Sequence, residues 1–137
     1  MSEFPTEDMQ LTTILVVADI AKAKKFYIDA LGAEYHSEYG GTSLVVRLMG
    51  NWLLLVTRGE PTDDKPGVYF EPPENLNRVQ QSFTIRVKDC QAAYETLKGR
   101  GVEFLTPPVD WQYEIRAFFR DPDGHLFEIS EVGQSSE

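Results

Sequence analysis

Cysteine is nearly absent: Cys90 is the only one among 137 residues. No intramolecular disulfide can form. Positive charge is also scarce, with 13 Lys and Arg against 22 Asp and Glu, a formal net charge of −9 and a pI near 4.7. Such a chain is repelled by a phosphate backbone and by anionic membrane surfaces, so neither nucleic acid nor membrane is expected as a partner. No apolar run approaches the ~20 residues of a membrane span. The first ten residues, MSEFPTEDMQ, lack the basic-then-apolar pattern of a secretory signal. There is no glycine-rich phosphate loop and no serine nucleophile elbow. Together these absences fit a cytoplasmic protein.

What is present suffices for one core: 42% of residues are hydrophobic and 12% aromatic. Residues 11–17, LTTILVV, are β-branched and apolar and read as a strand. Asp19 is placed to cap a helix over 20–31, whose residues Ile20, Ala23, Phe26, Tyr27, Ala30 and Leu31 share one face. Gly32 ends it. Strands are expected at 33–39, 43–49 and 52–57, separated by glycine turns at 40–41 and 50. Residues 58–80 turn rich in Pro, Asp, Glu and Asn and read as a linker, with a short extended piece at Val68–Phe70.

The second half repeats this order. A strand at 82–87 is followed by a helix from Cys90, capped by Asp89, and then by strands at 102–106, 113–120 and 125–131. The last two flank the turn Asp121-Pro122-Asp123-Gly124. Val17-Ala18-Asp19 matches Val87-Lys88-Asp89, and Gly32-Ala33-Glu34-Tyr35 matches Gly101-Val102-Glu103-Phe104. Three strands per copy lack helical crossovers, which excludes a doubly wound parallel sheet. The expected fold is α+β: two tandem βαβββ modules whose curved, largely antiparallel sheets surround a cleft. The expected division of a single 1–137 domain is module one at 11–57, linker at 58–80 and module two at 81–131. The tail after Val132 reads as frayed.

Leu15-x-Val17-x-Asp19 followed by Phe26-Tyr27 and Leu31-Gly32, and the closing Phe119-Arg120-Asp121-Pro122-Asp123-Gly124-His125-x-x-Glu128, resemble the vicinal oxygen chelate superfamily of glyoxalases, bleomycin-resistance proteins and extradiol dioxygenases. In metal-using members of that superfamily, one residue from each of four strands reaches a divalent ion. Carried over by position, the four become Thr12, Leu54, Ser82 and Glu128. A shift of two residues substitutes Gln10 for Thr12 and Thr84 for Ser82. One carboxylate does not hold a catalytic metal, so no metal ligand is assigned and no cofactor is expected. The alternative is a divalent metal held by a displaced set such as Gln10, His36 and Glu128.

Glu128 is the leading catalytic or ligand-binding candidate, since Phe127 and Ile129 on either side should face the core. Strand parity brings Arg86 or Arg116 within reach of it, as ion-pair partner or as anion anchor. Thr12, Ser82, Trp52, Leu54, Trp111 and Tyr113 complete the expected cleft, an aromatic wall with few polar groups. Cys90, at a helix start, is a candidate for a lowered thiol pKa. His125 reads as an exposed turn residue. The resemblance implies a metal-independent protein that binds a small aromatic or anionic compound and forms a homodimer. The alternative it implies is a metal-dependent enzyme of the glyoxalase or dioxygenase type, a lyase, isomerase or oxidoreductase.

Overall fold

Every strand with one apolar and one polar side must find a cover for the apolar side, and here two helices provide it. The computed structural model describes residues 3–133. In module one, β1 (Thr12–Val16), β2 (Glu34–Tyr39), β3 (Ser43–Leu48) and β4 (Asn51–Val56) form a sheet in the order β1-β4-β3-β2. In module two, β5 (Phe83–Arg86), β6 (Val109–Asp110), β7 (Glu114–Arg120) and β8 (Leu126–Val132) follow the matching order β5-β8-β7-β6. β1 pairs parallel with β4, and β5 with β8, while the other pairs are antiparallel. Each sheet is thus mixed, and the fold is the expected pair of βαβββ modules.

Both helices begin at the aspartates picked out above. Asp19 accepts from the amides of Ala21 and Lys22, at 2.8 and 3.2 Å, to start α1 (Ile20–Lys24). Asp89 accepts from Ala92 at 3.0 Å to start α2 (Cys90–Gly99). The single helix expected over 20–31 changes pitch. After Lys24 it continues as a π-helical stretch, Lys25–Ala30, and the Leu31 amide reaches back to the Phe26 carbonyl at 3.1 Å. From this stretch the adjacent Phe26 and Tyr27 both contact module two, with ring centroids 6.3 Å from Phe119 and 6.1 Å from Phe127.

The strand expected at 102–106 is a correction. Only an isolated bridge, Phe104 to Phe119, forms there. The Val102 amide is spent closing α2 on the Leu97 carbonyl, and Pro107 and Pro108 have no amide to continue the ladder. The edge strand is instead the two-residue β6. Residues 134–137 of the tail expected to fray lie outside the described residues. Among the described residues no helix is long and apolar enough to cross a membrane.

Burial assigns the two sides of each sheet. Leu15, Leu44, Val46, Leu53 and Leu55 in the first, and Ala117, Phe119, Phe127 and Ile129 in the second, belong to one continuous core with the helices. The modules join on this helix side. The Tyr27 hydroxyl donates to Asp121 Oδ2 at 2.6 Å, and both groups are buried. Asp121 Oδ1 accepts from the amides of Asp123 and His125. Asp123 accepts from the Ala18 amide at 2.8 Å, and His125 Nε2 meets the Val16 carbonyl at 2.8 Å. His125 is therefore not the exposed turn residue expected. It is half-buried and ties the turn to the end of β1.

Two outcomes follow. Tyr27→Phe keeps the ring but leaves Asp121 without its hydroxyl donor, and should lower the unfolding free energy by about 1–3 kcal/mol in urea denaturation. Burial raises the Asp121 carboxyl above its ordinary value of 3.8. Its contribution to stability is therefore present below that value and lost as pH rises through the folded value. Asp121→Asn, which lacks the titration, should gain stability relative to the parent as pH rises towards neutrality. A parallel pair of stability curves would contradict this.

Candidate functional site

The sides of the sheets turned away from the helices are open, and they differ in chemistry. On module one, register puts Ile14, Leu54 and Val45 in one row, Thr12, Trp52 and Arg47 in the next, and Val16, Val56 and Ser43 in a third. Ile14 is 44% exposed, a large value for an isoleucine in a sheet. Trp52 is held from two sides. The Arg47 guanidinium lies 5.0 Å from its ring centroid, and the His36 ring meets it edge-on at 5.1 Å.

The open face of module two is polar. Thr84, Glu128 and Phe118 share a row, and Arg86, Ser130 and Arg116 share the next. Arg86 Nη1 donates to Ser130 Oγ at 2.8 Å, and Ser130 Oγ donates to Glu114 Oε2 at 2.5 Å. Arg116 Nη1 reaches the other oxygen of Glu114 at 3.3 Å, and its guanidinium lies 5.6 Å from the rings of both Trp111 and Phe118. Glu114 is thus a carboxylate shared between two arginines, with Arg86 3.6 Å from Oε2. Glu128 makes no such pair. Its Oε1 accepts from Thr84 Oγ1 at 2.6 Å, while its Oε2 is buried with no partner. An acceptor cut off from water and left unpaired is costly to keep.

The expected site residues therefore divide. Arg86, Arg116, Trp111 and Glu128 meet on or beside the open face of module two, with Ser82 exposed one residue ahead of β5. Thr12, Trp52 and Leu54 lie together on the open face of module one. Tyr113 is 66% exposed just ahead of β7. Trp52 and Ser82 both line a cavity of about 360 Å³. The same cavity is lined by Leu53, Phe83, Ile85 and Phe127 from the helix-facing sides and by Thr84 from the open face of module two, so it draws on both sides of the sheets. The contacts that join the modules in one chain, Phe26 with Phe119 and Tyr27 with Phe127, are made on the helix side.

Two further expectations change. The arginines pair with Glu114, not with Glu128. Glu114 went unnamed, although it shares a strand face with Arg116 at a spacing of two, and with Ser130 it carries most of the polar network. Cys90 is fully buried, and burial with nearby Glu131 pushes its thiol up to about 11, the reverse of an activated nucleophile.

A glyoxalase and bleomycin-resistance protein and dioxygenase superfamily model matches residues 10–129. The chain belongs to that superfamily. It is 31% identical over 117 residues to the metallothiol transferase FosB of Staphylococcus saprophyticus, a match covering 82% of this chain and 70% of that protein. It is 27% identical over 127 residues to the Bacillus subtilis protein YetH, covering 89% and 98% of the two chains. A crystal structure of a superfamily member from Alicyclobacillus acidocaldarius superposes with a TM-score of 0.71 at 16% identity, over 97% of this chain and 98% of that one.

Many members of this superfamily use a metal, and the four positions carried over from the resemblance do not fit one. Thr12, Leu54 and Ser82 offer two hydroxyls and a hydrocarbon beside the single carboxylate of Glu128, a poor donor set for a divalent ion. No group of three or more His, Cys, Asp or Glu side chains able to hold a metal occurs among the described residues.

Ser130 offers a sharp test of the polar network. Ser130→Ala should lower stability by about 1–3 kcal/mol, because the buried hydroxyl links Arg86 to Glu114. Equilibrium denaturation measures it, and a loss of only a few tenths of a kcal/mol would show that the network is solvated.

Proposed function

We propose that this chain is a metal-independent small-molecule-binding protein whose cleft is completed by a second copy of itself. The observation that carries the reading is a carboxylate oxygen without a partner, Glu128 Oε2, on the same sheet face as two arginines, while the corresponding face of module one is largely apolar. Each face is half of a pocket. Laying the Ile14, Trp52 and Leu54 face of one copy over the Arg86, Arg116 and Glu128 face of the other gives apolar walls with a few polar anchors. Twofold symmetry builds two such clefts.

The ligand has an aromatic or otherwise flat apolar body for Trp52. It carries an anionic group for the Arg86 fork and a hydrogen-bond donor for Glu128. A metal-dependent lyase, isomerase or dioxygenase is the second reading, favoured by retention of Glu128 and by kinship to a protein named as a metallothiol transferase. The displaced set it calls on is split in one chain, since His36 packs on Trp52 and Glu128 lies on the other open face, and the proposed pairing of faces between copies would bring the two together, so metal loading decides between the readings.

Elemental analysis after loading with zinc, nickel, manganese and ferrous iron, then desalting, separates the two readings. Substoichiometric retention of every metal is the expected result. Near-stoichiometric metal that disappears in Glu128→Ala would replace the binding reading with the enzymatic one. In a thermal-shift screen of aromatic carboxylates, Arg86→Ala should weaken the responding compounds by about 10–100-fold, equivalent to one charge-assisted hydrogen bond. Light scattering should give twice the chain mass.

A further inference from the structure

On the helix side, away from both open faces, three cations converge on an apolar hollow. Lys22 and Lys25 come from α1 and its π-helical continuation, and Arg100 caps the end of α2; all three are exposed. They rim a cavity of about 270 Å³ floored by Phe26, Ala30 and Pro122. Arg100 is held in place, its Nη1 donating to the Ala30 carbonyl at 3.0 Å, which leaves its other N–H groups free. None of the three makes an ion pair among the described residues.

The hollow adjoins a deeper cavity of about 440 Å³ that shares Phe26 and Pro122 and extends to Phe104 and Arg120. Arg120 Nε is buried there without a partner, while its Nη2 reaches the Leu76 carbonyl at 3.3 Å. Two acids line this deeper part. Glu103 is exposed, and the oxygens of Asp121 are taken by Tyr27 and two turn amides. A chain of net charge −9 thus concentrates unpaired positive charge around one of its apolar recesses. Arg100, at the C-terminus of α2, also favours that helix dipole, but Lys22 and Lys25 lie in the first turns of their helix, where the dipole does not account for their sign.

We propose that this recess binds a small amphipathic anion, with a carboxylate or sulfonate at Lys22, Lys25 and Arg100 and an aromatic or short aliphatic body over Phe26 and Pro122. The two cavities together reach the ~300–1,000 Å³ of ordinary ligand pockets. A ligand seated there touches α1, the loop after α2 and the Asp121–Gly124 turn, and so bridges the two modules.

The test is a ¹H–¹⁵N NMR titration of the full chain with naphthalene-2-sulfonate, and separately with neutral 2-naphthol. The sulfonate should shift amides in residues 22–30 and 100–105, bind more tightly than the naphthol, and weaken as ionic strength rises. Lys22→Glu with Lys25→Glu, both solvent-facing, should raise the dissociation constant at least about tenfold. Arg100→Gln gives a second variant without charge reversal, expected to weaken binding in the same direction. Arg86→Ala should leave this binding unchanged, which separates the recess from the open-face cleft. Equal affinity for sulfonate and naphthol, affinity unaltered by the charge reversal, or shifts confined to residues such as Trp52, Leu54 and Ser130 would each overturn the proposal.

Discussion

The architecture turns on one buried carboxylate. Asp121 sits at the tip of the β7–β8 turn, out of water, and is held there because every oxygen has a donor. Its neighbours in the same turn, Asp123 and His125, reach the end of β1 and the start of α1. A four-residue turn of one module is thereby fastened to the strand-to-helix joint of the other. Burying a carboxylate in this way costs desolvation, and it is tolerable only where the geometry satisfies it completely. The result is a specified orientation in which the modules join on their helix sides.

That orientation shapes the functional reading. On the proposed reading, a single chain presents two half-sites of different character, one largely apolar around Trp52 and one charged around Glu114. Neither is a pocket alone. The 44% exposure of Ile14 is the sign of a surface that awaits a cover. Because the two faces differ in chemistry, the proposed dimer pairs unlike faces.

Much of the fold was legible because it is local. Asp19 and Asp89 cap helices by contacts two or three residues away, and the alternation in Phe83-Thr84-Ile85-Arg86 assigns sides without any knowledge of neighbours. The repeat then supplied the topology. What was not legible depends on contacts distant in the chain. Tyr27 meets Asp121 across 94 residues, and His125 meets Val16 across 109. The partners of the arginines were hidden for a different reason. Parity places Glu114, Arg86 and Glu128 on one face, but only the strand order β5-β8-β7 and the intervening Ser130 decide which carboxylate they reach.

The pairing of unlike faces between copies can be measured without a ligand. A chain carrying Leu54→Cys on one open face and Arg86→Cys on the other is treated with a short bismaleimide linker. The native Cys90 should stay silent, since it is buried and its thiol is pushed to about 11. The account predicts products of twice the chain mass, joined from the Leu54 position of one copy to the Arg86 position of the next. A link formed within single chains, leaving the mass of one copy, would contradict it and return the cleft to the interior of one molecule.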